Sequence, residues 1–131
     1  MENQVNETNE SKRKELTAEY NSSMEKSEER LDELHVKKQS IDECCDEINY
    51  FWTSTKQKLS EHQSELAQVD SYEDFELFQR FEEELDSNCR MAENVLLDEQ
   101  DEIELERKKI FRVREDIESE YRYAMLALNE G

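Results

Sequence analysis

The sequence predicts an all-α protein, an antiparallel two-helix hairpin of coiled-coil type with its turn near residues 69–72. Three observations carry that expectation. The 131 residues contain no proline, and their single glycine is the last residue, Gly131. Turns in sheets and compact α/β domains lean on both residue types for their special dihedrals, so long helices are the economical alternative. Charged residues make up 40% of the chain and apolar ones 34%, too few for a thick core but enough for a narrow seam between helices. The apolar residues also recur at the spacing of a helix seam, which separates the chain from a disordered polyanion of similar composition.

Residues 1–10, MENQVNETNE, carry only Val5 as an apolar residue after the initial Met, and are expected as a flexible N-terminal tail. A single hairpin domain then spans 11–131. From Met24 a spacing that alternates three and four runs through Ser27, Leu31, Leu34, Lys38, Ile41, Cys45, Ile48, Trp52, Thr55, Leu59, His62, Leu66 and Val69. This predicts one long helix whose seam is weakened at Ser27, Lys38, Thr55 and His62. Next, VDSYEDFELF supplies a helix start. Asp70 or Ser71 suits the cap, and Glu73 and Asp74 fall where the helix dipole favours negative charge.

The second helix is expected from about residue 71 to about 128. It holds a strict seven-residue repeat of Cys89, Leu96, Ile103, Ile110, Ile117 and Ala124, widened by Leu85, Ala92, Val113 and Tyr121 and begun by Phe75, Phe78 and Phe81. Acid-to-base pairs four residues apart, such as Asp86 with Arg90 and Glu104 with Lys108, add about 0.2–0.5 kcal/mol each on exposed faces. Two helices of about 58 residues measure roughly 87 Å each at 1.5 Å per residue. Folded back near residue 70, they pair positions whose numbers sum to about 140, so Ile48 meets Ala92. One continuous helix of about 115 residues, paired between chains, stays open because neither Gly nor Pro enforces a turn.

The charge narrows function. With 36 acidic against 17 basic side chains the net charge is −19, which disfavours nucleic acid and anionic membranes as partners. Residues 1–30 lack the continuous apolar run of a signal peptide, and no stretch of about 18 apolar residues could span a bilayer. Cys44, Cys45 and Cys89 form no disulfide framework and suit a reducing compartment. Neither His35 nor His62 stands at zinc-ligand spacing from them, so they read as small seam and flank residues, with no metal and no cofactor. No nucleophile elbow, phosphate-cradling glycine loop or calcium loop occurs, and a thin hairpin has no enclosed pocket to shift a carboxylate's pKa. The sequence predicts no enzymatic role.

More informative are the apolar residues that one seam cannot consume. In Val95–Leu96–Leu97, in Tyr50–Phe51–Trp52 and in residues 123–128, YAMLAL, consecutive apolar side chains spread around the helix. They fit either self-association or docking on another helical protein. Val95, Leu97, Tyr123, Met125 and Leu126, with Tyr50 and Phe51, are the expected partner contacts.

The stretch LLDEQDEIELERKKIFRVREDIESEYRYAMLAL resembles the C-terminal half of the small helical accessory proteins associated with LXG-domain toxins in the type VII (Esx, WXG100-like) secretion systems of Gram-positive bacteria. The matching features are the acidic run Asp98 to Glu106, the bases Arg107 to Lys109, the pair Glu115 and Asp116, and Tyr121 with Tyr123. The resemblance implies a cytoplasmic adaptor or chaperone. It would bind the helical N-terminal LXG region of a cognate toxin, together with a small WXG100-like protein, and promote export; co-export with the client stays open. The chain departs from the secreted subunits of such systems in two places. Trp52 is followed by Thr53 and Ser54 rather than x-Gly, and neither Tyr121 nor Tyr123 has an acid four residues on. The alternative is a coiled-coil scaffold, unrelated to secretion, that forms a homodimer.

Overall fold

The computed structural model describes residues 2–66 and 72–130, with side chains from Thr8 to Glu65 and from Tyr72 to Glu130. Two helices account for them, α1 (Glu2–Leu66) and α2 (Tyr72–Glu130), packed against each other as a hairpin with no strand among the described residues. The expected turn at 69–72 lies outside the described residues except for Tyr72, which opens α2, and so do the cap residues Asp70 and Ser71. Glu73 and Asp74 occupy the first turn of α2, where their charge opposes the positive end of the helix dipole. At the other end the chain differs from expectation. Helical backbone begins at Glu2, so residues 2–10 of the segment expected as a tail belong to α1. Its three Glu and one Gln are good helix formers, its Asn and Thr weaker ones, and no Gly or Pro interrupts them.

The contacts divide the chain into two compact units: a terminal unit of Met1–Val36 with Ile103–Gly131, and a middle unit of Lys37–Glu102. In the terminal unit Leu34 and Ile103 are buried. Around them the helices are tied by side-chain pairs. Thr17 Oγ1 and Tyr121 Oη share a hydrogen bond of 3.0 Å, and the Tyr20 and Tyr121 rings stack with centroids 4.4 Å apart. Arg30 donates from Nε and Nη2 to Glu106 Oε1 at 2.9 and 2.6 Å and from Nη1 to Glu33 Oε2 at 2.8 Å. Arg114 reaches Glu28, and Arg13 donates to Asn129. In the middle unit Ile41 and Phe78 are buried, and Gln100 donates to Asp42 at 2.6 Å. The cross-helix partners in both units have numbers that sum to about 140, the register expected of the hairpin.

The seven-residue repeat of α2 stays at least half-buried at every position from Cys89 to Ala124. Three other seam assignments need correction. His62 is exposed and the neighbouring Gln63 is half-buried. Val113 and Phe81 are exposed as well. A straight α-helix has 3.6 residues per turn, so it drifts about 20° per heptad against a strict 3.5 repeat. Three heptads beyond Ile41, that drift carries residue 62 out of the seam and residue 63 into it. Along α2 the repeat itself stays in the seam while its flank changes: Arg107, Arg114 and Tyr121, four residues beyond Ile103, Ile110 and Ile117, are half-buried, and Val113, three beyond Ile110, is exposed. Phe81 fails for a related reason. Each step of three residues falls about 60° short of a turn, so two steps from Phe75 place it well to one side.

Candidate interaction surface

The surface is built from what the seam leaves over. Among the described residues four large apolar side chains are buried, whereas fourteen are exposed. Further seam side chains, among them Ile48, Leu59, Leu85, Leu96, Ile110 and Ile117, are half-buried, and each Leu, Ile or Phe fully taken out of water stabilises by about 1.5–3 kcal/mol.

In the middle unit part of this excess forms a continuous feature. Glu47, Ile48 and Phe51 of α1 face Leu85, Asn88, Cys89 and Ala92 of α2 across a groove of about 290 Å³. Ile48 opposite Ala92 follows directly from the hairpin register. Phe51, 54% exposed, forms part of the wall rather than the floor. On α2 a second stripe runs beside the groove and shares Asn88 with it. Leu77, Phe81, Glu84, Asn88, Met91 and Val95 follow one another at spacings of four and three, so they share one side of the helix. Asn88 lines the groove, which fixes that side as the groove side. Leu77, Phe81, Met91 and Val95 are all exposed.

The expected contact residues thus separate. Phe51 and Val95 come to the same side of the middle unit. Tyr50 is 77% exposed but lies a further 100° around α1, and Leu97, also exposed, lies two residues and so about 200° from Val95. In the terminal unit Tyr123 and Leu126 are exposed, while Met125 is half-buried. Leu77, Phe81 and Met91 escaped the sequence reading although their spacing with Val95 was available. Phe81 had been assigned to the seam, and Glu84 and Asn88 interrupt the stripe.

The terminal unit has a more polar recess of about 300 Å³ between the helices, where Tyr20 and Tyr121 meet beside Leu16, Ile117, Glu19 and Glu120. Thr17 and Tyr20 extend the α1 seam seven residues upstream of Met24 and Ser27 respectively, a continuation hidden in the sequence by their hydroxyls.

The thiols are free, with Cys44 exposed and Cys45 and Cys89 half-buried. Burial pushes the Cys45 thiol above its ordinary pKa, helped by the nearby charges of Asp42, Glu93 and Asp46. Arg30 is shifted upward by its hydrogen bonds to Glu33 and Glu106. Among the described residues no group of three or more His, Cys, Asp or Glu is placed to hold a metal ion. No described helix is long and apolar enough to cross a membrane.

By class, the chain is an all-α two-helix hairpin of coiled-coil type with an apolar groove at the side of its middle unit. It matches no family model, no curated protein and no solved structure.

Proposed function

We propose that the protein is a non-enzymatic adaptor or chaperone for a helical client. The carrying observation is the excess of exposed over buried large apolar side chains, part of it gathered along the groove of the middle unit. A client helix laid there would complete a larger bundle, and it would hide its own apolar face while doing so. The carboxylates on the outer faces would keep such a complex soluble and disfavour wrong partners.

The resemblance of residues 96–128 to LXG-toxin accessory proteins suggests the client. It would be the helical N-terminal region of a type VII-exported toxin, joined by a small WXG100-like protein, with recognition taking place in the cytoplasm before export. Co-expression with the product of a neighbouring gene that encodes a helical N-terminus and a toxin-like C-terminus tests this. The two proteins should co-elute on size exclusion at the mass of a complex. If they elute separately, the adaptor assignment fails.

A further inference from the structure

The net charge is unevenly shared between the two units. Residues 37–102, the middle unit, hold 19 carboxylates against 6 bases, a balance of −13 out of the chain's −19. The groove lies within this unit, and acidic residues border it. Glu47 lines it directly. Glu84 falls within the Leu77–Val95 stripe, while Glu99 and Glu102 stand one heptad beyond Ala92 and Val95. Lys58, one heptad beyond Phe51, is a base on the α1 side.

We infer that the groove takes an amphipathic helix of a partner protein whose apolar stripe is flanked by Lys and Arg. This rests on the reading of the apolar excess as a docking surface and adds the chemistry of what docks. An apolar lining of Ile48, Phe51, Leu85 and Ala92, with the exposed Val95 further along the Asn88 side of α2, matches the apolar face of a helix. An acidic border then selects by sign, because like charges brought together at an interface cost affinity and opposite ones steer association. A second copy of this chain would bring one acidic surface, with Glu47, Glu84, Glu99 and Glu102, against another of the same sign. It is therefore the wrong occupant. From Phe81 to Val95 the stripe runs about 21 Å at 1.5 Å per residue, which an occupant of roughly four helical turns covers.

Three fluorescein-labelled peptides of about 21 residues test this against the full-length protein by anisotropy. The first has Leu at the seam positions with Lys and Arg flanks. The second keeps the Leu positions with Glu flanks, and the third keeps the basic flanks with Leu replaced by Ser. The first should bind at least about tenfold more tightly than either other, a difference of about 1.4 kcal/mol, and should weaken as NaCl rises from 50 to 500 mM. Phe51→Ala and Val95→Ser should each weaken it several-fold, while Leu97→Ser, on another side of α2, should not. The charge reversal Glu47→Lys with Glu84→Lys should move preference toward the Glu-flanked peptide, with circular dichroism confirming helicity of every variant.

Equal binding of the first and third peptides would reduce the effect to bulk charge and overturn the inference. So would equal binding of the first and second, no binding at all, or indifference to both Phe51→Ala and the charge reversal. Client co-elution without peptide binding would leave the adaptor reading standing and place its surface elsewhere. Peptide binding without co-elution would keep the groove's chemistry while the adaptor assignment fails.

Discussion

Tyr121 shows how single residues secure a seam this narrow. Its ring stacks on Tyr20 and its hydroxyl meets Thr17, so one side chain supplies both an apolar and a polar cross-helix contact in the terminal unit. Tyr121→Phe keeps the stack and removes the hydrogen bond. It should cost about 0.5–1.5 kcal/mol in urea denaturation, and combining it with Thr17→Val should cost less than the two single changes together. Cys45 invites a second residue-scale measurement. Its thiol is half-buried and its pKa raised, whereas Cys44 is exposed, so less thiolate is available at Cys45. In variants retaining one cysteine each, iodoacetamide at pH 8 should alkylate Cys45 several-fold more slowly than Cys44. The same shift makes the Cys45 contribution to stability complete below the thiol's unfolded pKa, and it is lost as pH rises through the folded value.

At the scale of the helices, most of the pattern was readable because periodicity reports which side of a helix meets its neighbour. The repeat from Cys89 to Ala124 and the run from Leu31 to Leu59 identified seam residues by spacing alone, including the polar Lys38 and Thr55, which are half-buried. Spacing failed where a fixed repeat and a straight helix part company, at His62 and Val113, and where two short steps at Phe75–Phe81 exceeded the seam's width. The groove was half legible. Phe51 and Val95 stood out as surplus apolar residues, but only the hairpin register puts them on one side, with Leu77, Phe81 and Met91 extending that side. Burial now ranks the seam residues energetically. Leu34, 1% exposed, should cost about 2–5 kcal/mol when changed to Ala, seen as a large fall in melting temperature. His62→Ala should stay within about 0.5 kcal/mol, since that side chain stands in solvent beside Glu65.

For the whole molecule the decisive quantity is the mismatch between what is buried and what is exposed. Among the described residues Leu34, Ile41, Phe78 and Ile103 are the large apolar side chains that are buried, while Tyr50, Phe51, Val95, Leu97 and ten others are exposed. Under the proposed function another helical protein would cover Phe51 and Val95, and the acidic residues near the groove would favour it over a second copy of the chain. Sedimentation equilibrium of the purified protein alone separates these outcomes most directly. The protein alone should be a monomer of 15.8 kDa at micromolar concentration in moderate salt. A stable homodimer of twice that mass, dissociating when Phe51 and Val95 are made polar, would contradict it.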